Sequence, residues 1–335
     1  MTIYDISEKA GVSIATVSRV LNGSKNVSAK TRERVLQIMD LCGYTPNAFA
    51  RGLGLNTMRT IGILCADSSD PYLAKSIYFI ERKLRAHNYD SLLCCTGYEP
   101  ADKASSMNLL ITKKVDGIIL VGSNFVHEKE RDNQYIAEAA ARVPVMLLNA
   151  VLDLPNVYSV LCDDCAAMYQ AALEMADSGI GDILYFYNSD SYSGKRKLAG
   201  FRAAMEKRRL PASRIMTLFY SGSHEDIHAM VRCLKQLRED GITFHGIIAA
   251  EDILALAAVK YAREMHYRIP EDISVIGYNN SMLALCSEPE LTSIDNKQET
   301  LCQQLIVTLM GVLEGKEMPK KTVFAGEIIR RGTTP

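Results

Sequence analysis

Apolar positions change rhythm once along the chain. Up to about residue 45 they recur at helical spacing in short stretches, and no strand-like run occurs. Thr2 is placed to cap a first helix, with Asp5 three positions on in capping-box geometry, and this helix runs to Ala10. Gly11-Val12-Ser13 then makes a turn. Ser13 caps a second helix, Ile14 to Leu21, and Asn22-Gly23 stops it. Ser28 caps a third helix. Ile6, Ala10, Val12, Val17 and Val20 form a small core where the first two helices cross, closed by Val35, Ile38, Met39 and Cys42 from the third. The second helix is left with Ile14, Ala15, Thr16, Ser18 and Arg19 on its open face. That geometry is a helix-turn-helix over residues 1–45.

Residues 46–60, PNAFARGLGLNTMRT, are small, Gly-containing and basic, as a linker is. Beyond them short apolar runs alternate with amphipathic helices. The runs are TIGILCAD, SLLCCTG, GIILVG, VPVMLLN, VYSVLCD, DILYFYN, RIMTLFY, GIIAA and ISVIGYN. Helices are expected near 71–88, 101–114, 194–208, 225–239 and 251–265. This alternation predicts parallel, doubly wound sheets. About ten strands are too many for one small sheet, so the body (61–335) is read as two similar α/β lobes. The first takes residues 61–161 and 292–321, the second 162–291 and 322–335. A ligand of such a body sits at the carboxyl ends of the strands, in the crevice between lobes.

Charge adds to this picture. The chain of 335 residues has a formal net charge of -1. Residues 1–60, however, hold eight Lys/Arg against four acids, so a basic head sits on a mildly acidic body, the balance of a polyanion-binding domain. No apolar run approaches the roughly 20 residues of a membrane span. Asp5 and Glu8 interrupt the N-terminus where a signal peptide has its apolar core. A cytoplasmic protein without membrane contact is expected, its nine cysteines reduced. Cys162-Asp-Asp-Cys165 has CxxC spacing but no second CxxC or paired His, and reads as inert thiols. The nucleotide-binding and nucleophile-elbow motifs of α/β enzymes are absent, and six scattered His show no catalytic pairing. We expect no enzyme and no cofactor.

The stretches IYDISEKAGVSIATVSRVLNG and VSAKTRERVLQIMDLCGYTPNAFARGL closely resemble the head of the lactose-repressor (LacI/GalR) family of bacterial transcription regulators, and the resemblance continues through the body. It implies a head that binds double-stranded operator DNA in the nucleoid. The body is then like that of periplasmic binding proteins, closing on a small effector. By the resemblance Ile14, Ala15 and Arg19 read base edges in the major groove, where Arg on guanine is the strongest contact. Thr2, Tyr4, Ser13, Thr16, Ser18, Asn22, Ser28, Thr31 and Tyr44 touch phosphates and groove edges and so fix position. Asn47, Ala50, Arg51 and Leu53 match the family's hinge helix, with Leu53 wedged into the minor groove at a central base step.

For the effector, the resemblance points to the loop 67–70 with Ser68 and Asp70, then to Tyr72, Asn149, Ser191, Ser193, Lys197, Glu251, Asp252, Asn279 and Asn296. Carboxamides, carboxylates and hydroxyls in one crevice suit a sugar or sugar derivative. Three positions depart from the family's sugar-binding pattern: Lys197 stands where Arg is common, Glu251 where Asn is, and Asn279 where Asp is. Lys197 is expected to meet an anionic ligand or to pair with Glu251, and control by a protein partner or a non-sugar ligand stays open. Twofold reading of a pseudo-palindrome calls for a homodimer. A stripe at Ile77, Ile80 and Leu84 is a candidate dimer surface. The last residues, EIIRRGTTP, carry no leucine heptads of the kind that build tetramers.

Overall fold

The structure, a computed structural model, describes residues 2–21, 24, 26–44, 57–209 and 215–335. The head holds α1 (Ile3–Ala10), α2 (Ile14–Leu21) and α3 (Ala29–Leu41). Each start follows from its cap. Asp5 accepts from the Thr2 N–H at 2.7 Å, and the Thr16 and Thr31 amides donate to Ser13 Oγ and Ser28 Oγ, both at 3.2 Å. Gly11 ends α1 at φ +61, a left-handed conformation that glycine adopts without strain. Ile6, Ala10, Val17, Val20, Val35 and Met39 are buried together, with Val12, Ile38 and Cys42 packed against them. The core expected from periodicity is therefore present.

The body is two six-stranded sheets. The first runs in the order β11-β5-β4-β3-β1-β2, with β1 Thr60–Cys65, β2 Asp90–Cys95, β3 Gly117–Val121, β4 Val145–Leu148, β5 Val157–Cys162 and β11 Lys321–Phe324, all parallel. The second runs β12-β10-β9-β8-β6-β7, with β6 Ile183–Tyr187, β7 Met216–Phe219, β8 Gly246–Ala249, β9 Ser274–Tyr278, β10 Thr292–Asp295 and β12 Glu327–Ile329. Only β12 is antiparallel.

Covered on both faces, the first sheet favours apolar residues on both sides of its inner strands, as β3 and β4 show. Ile119 and Val121 of β3 pack on one face with Met146 and Leu148 of β4. Ile118 and Leu120 pack on the other with Val145 and Leu147.

Around the sheets lie α4 (Pro71–Ala86), α5 (Pro100–Thr112), a 3-10 turn at Glu130–Asn133, α6 (Gln134–Ala140), α7 (Asp164–Asp177), α8 (Tyr192–Lys207), α9 (Ile227–Glu239), α10 (Asp252–Glu264), α11 (Met282–Cys286) and α12 (Gln298–Leu313). At Gly200 α8 lies so close to the start of α7 that a Cβ there would stand 2.2 Å from the Cys165 carbonyl oxygen.

Two expectations are corrected. Thr292–Asp295 pairs with β9 in the second sheet, and Lys321–Phe324 pairs with β5 in the first. The chain thus crosses between lobes after residue 295 and after residue 324, a few positions beyond 292 and 322. Ile80 and Leu84 are fully buried, and Ile77 packs on the same cluster, so that stripe is the core face of α4 and not a free surface. The periodicity marks a covered face; here the first sheet and α12 cover it. Among the described residues no helix is long and apolar enough to cross a membrane. Asn22, Asn47, Ala50, Arg51 and Leu53 lie outside the described residues.

Candidate functional site

Parallel strands bring their carboxyl ends to one side, and loops leaving those ends from both sheets enclose a cavity of about 450 Å³. From the first lobe come Asp70 and Tyr72 after β1, Tyr98 after β2, Ser123 and Asn124 after β3, and Asn149 after β4. From the second come Asn188, Ser191 and Ser193 after β6, His224 after β7, Glu251 after β8 and Asn279 after β9. Asp164 at the start of α7, Lys197 of α8 and Asn296 after β10 complete the wall. Nine of the eleven effector positions expected from sequence are thus brought together: Asp70, Tyr72, Asn149, Ser191, Ser193, Lys197, Glu251, Asn279 and Asn296.

Ser68 and Asp252 are not among the lining residues. Ser68 is exposed on a loop that Asp67 turns, its Oδ1 accepting from the Ser69 N–H and Oγ at 2.8 and 2.7 Å. Asp252 is 1% exposed and points away. It accepts from Ser293 Oγ at 2.5 Å and the Ser281 N–H at 2.6 Å, and Ser293 Oγ accepts from the Asn280 N–H. Its role is to pin the loop that presents Asn279. Successive residues at a helix start are about 100° apart, so Glu251 and Asp252 cannot face the same way.

The positions that sequence reasoning missed include Tyr98, Ser123, Asn124, Asp164, Asn188, His224 and the rings Phe219 and Tyr220. Most of them directly follow a strand, and that position was the available signal. Asp164 lay inside the CxxC stretch, read there only for its sulfur spacing.

One wall is a buried polar network. Asp164 is 5% exposed and accepts from Tyr278 Oη at 2.5 Å and Ser193 Oγ at 2.6 Å. Burial pushes its carboxyl above the usual range, and the Lys197 ammonium opposes that rise. Lys197 Nζ donates to the Ala250 carbonyl at 2.9 Å and lies 3.7 Å from the centroid of the Tyr278 ring. No ion pair joins it to Glu251 among the described residues, which corrects that expectation. Held by the carbonyl and the ring, Lys197 is also poorly placed to lead recognition of an anion.

Opposite, Asn149 Nδ2 donates to Tyr72 Oη at 2.6 Å, and Asn296 Nδ2 donates to Asn279 Oδ1 at 3.0 Å. Asn149 and Asn279 have φ of +64 and +98, which asparagine tolerates better than most side chains. Three contacts tie the lobes across the mouth. Ser123 Oγ donates to Ser191 Oγ at 2.8 Å, the Tyr192 N–H to the Ser123 carbonyl at 3.3 Å, and Lys195 Nζ to Glu128 Oε1 at 2.6 Å.

In the head, Ile14, Ala15 and Arg19 are exposed on α2, while Val17 and Val20 face the core. Thr2, Tyr4, Ser13 and Ser28 are exposed, and Thr16, Ser18, Thr31 and Tyr44 are partly so. Ser13 and Ser28 act as helix caps as well, so any phosphate contact they make is additional.

Comparison with known proteins agrees with both parts. The pattern of the bacterial regulatory proteins of the lacI family matches residues 2–47, and that of the periplasmic binding protein-like domain matches residues 172–334. An HTH-type transcriptional regulator of Lachnoclostridium phytofermentans is 50% identical over 334 residues, covering 100% of this chain and 99% of that protein. The HTH-type transcriptional regulator DegA of Bacillus subtilis is 31% identical over 340 residues, covering 100% and 98%. Among solved structures, the Lac repressor dimer bound to operator and an anti-inducer superposes with a TM-score of 0.88 at 23% identity, covering 100% of this chain and 99% of that one. The chain belongs to the lacI family of bacterial regulatory proteins, DNA-binding transcriptional regulators and not enzymes, with a helix-turn-helix head on a periplasmic-binding-protein-like body.

Proposed function

We propose that the chain is a repressor that binds a pseudo-palindromic operator as a homodimer and is controlled by a sugar-class small molecule held between its lobes. The observation that carries this reading is the convergence of the nine expected side chains, from both lobes, on one cavity of about 450 Å³. That volume suits a ligand of one or two sugar rings. Residues 1–45 serve as the DNA-binding unit, 46–60 as hinge and linker, and the rest as the effector and dimerisation unit. A ligand that binds the closed lobes better than the open ones shifts their balance, and with it the spacing of the two heads on DNA.

Within the head, Ile14 and Ala15 offer only apolar contact, as to thymine methyls, whereas Arg19 can fork onto guanine. Thr2, Tyr4, Ser13, Thr16, Ser18, Asn22, Ser28, Thr31 and Tyr44 hold phosphates, and Asn47, Ala50, Arg51 and Leu53 form the hinge contact. Selection of duplexes from a random pool by the purified chain tests the reading. An enriched motif with twofold symmetry is expected, and a pool without one contradicts it. Arg19→Ala should lower discrimination by about 1–3 kcal/mol at one symmetric pair of positions and leave the rest intact. A motif identical to wild type would remove Arg19 from base readout.

A further inference from the structure

The donor and acceptor balance of the cavity narrows its ligand beyond a sugar. Of the three carboxylates in the wall, Asp164 is already satisfied by Tyr278 and Ser193, and Lys197 is engaged with Ala250 and the Tyr278 ring. The other two come from opposite lobes, Asp70 from the first and Glu251 from the second.

Glu251 stands at the N-cap of α10 but makes no side-chain cap bond, so its carboxylate faces the cavity and not the helix. Its neighbours are Asn188 Nδ2 at 3.4 Å and His224 Nδ1 at 3.7 Å, both at the long end of useful contact. Asp70 uses one oxygen to accept from the Leu73 N–H at 2.9 Å, and its other oxygen has no hydrogen bond among the described residues. Burial lifts the Glu251 carboxyl, Lys197 opposes that rise, and the charge of Asp70 across the cavity adds to it. Tyr98 lies within reach of both charges. Lobe closure therefore brings like charges together at this end.

The neutral groups lean the same way. Asn296 is 4% exposed, and its Oδ1 has no partner although the side chain lines the cavity. Asn188 Oδ1 is buried and unpartnered as well, and its orientation is fixed because a flipped amide would set oxygen against the Glu251 carboxylate. Among the buried side-chain atoms of the described lining residues, Asn124 Nδ2 is the one unpartnered donor. Buried polar atoms ask for partners, and of the buried unpartnered lining atoms described two accept and one donates. A phosphate or carboxylate ligand would add acceptors to acceptors. A neutral hexose would leave three wall carboxylates, Asp70, Asp164 and Glu251, facing the one lysine ammonium of the described wall, Lys197.

We propose, resting on the small-molecule reading above, that the ligand is a polyhydroxylated amine, such as an amino sugar. Its ammonium sits between Glu251 and Asp70, and its hydroxyls lie on Asn149, Asn188, Asn279 and Asn296. The ammonium supplies three N–H donors and a positive charge, and turns the repulsion that opposes closure into a bridge between lobes.

Calorimetric titration of the full-length chain tests this with four sets of probes. They are glucosamine, galactosamine and mannosamine; the parent hexoses; the N-acetylated forms; and the hexose 6-phosphates. At least one free amine should bind about 10- to 100-fold more tightly than its hydroxyl and N-acetyl counterparts. Glu251→Gln should erase that preference, with circular dichroism confirming that the variant is folded. Equal or tighter binding of a neutral hexose or a 6-phosphate overturns the amine and leaves the small-molecule reading standing. Survival of the preference in Glu251→Gln overturns the assigned position of the ammonium. Binding by none of the probes overturns both readings together.

Discussion

Lys197→Met is expected to destabilise the chain by about 3–5 kcal/mol at pH 8 and by clearly less near pH 4.5. The side chain is 8% exposed, and its ammonium opposes the rise in the Asp164 carboxyl that burial causes. Removing it leaves Asp164 buried without a cation. A carboxyl whose folded value is raised binds its proton more tightly folded than unfolded. Its contribution is favourable below the unfolded value and is lost as pH rises through the folded one. Lys197 holds that loss down in the wild type; without it the folded value climbs further and the penalty spans a wider interval. Glu251 shifts in the same direction, because Lys197 also counters its rise. Urea unfolding of both proteins between pH 4.5 and 8 gives the answer. A deficit that stays constant across this range would mean that lost packing, not the stranded carboxylate, is the cause.

Leu53→Ala should weaken binding to the selected DNA by about 2 kcal/mol, roughly 30-fold, while dimerisation is unchanged. An apolar wedge unstacks a base step, and the bend it creates admits contacts that offset the unstacking. Alanine is too short to hold the step open. Affinity equal to wild type, with the dimer intact by sedimentation, would remove Leu53 from the minor groove.

Much of this molecule was legible in its residues. Caps at Thr2, Ser13 and Ser28 bounded the head helices because each is a local hydrogen-bond device. The inner strands stood out because a sheet covered on both faces favours unbroken apolar runs, as in β3 and β4. Sheet membership was less legible. β10 and β11 are four residues each, and nothing in TSID or KTVF says which sheet will pair with them. The site followed the same division. Side chains directly after strands were readable as cavity walls, but facing was not, so Asp252 was grouped with Glu251. The engagement of Lys197 depends on Tyr278, 81 positions away, and on the Ala250 carbonyl. No spacing rule encodes such a contact.

Coupling between cavity and head is the central claim, and it can be tested before any ligand is known. Ser123 and Ser191 face each other across the lobes with their hydroxyls 2.8 Å apart, within reach of a disulfide if both become cysteine. Affinity of the Ser123→Cys, Ser191→Cys double variant for the selected DNA should be measured oxidised and reduced, with wild type treated alike. Locking the lobes shut should change affinity by at least about 5-fold, the lower end of ordinary allosteric coupling, with no change in wild type. Equal affinity in the two redox states would mean that the lobes do not speak to the head, and would contradict the account.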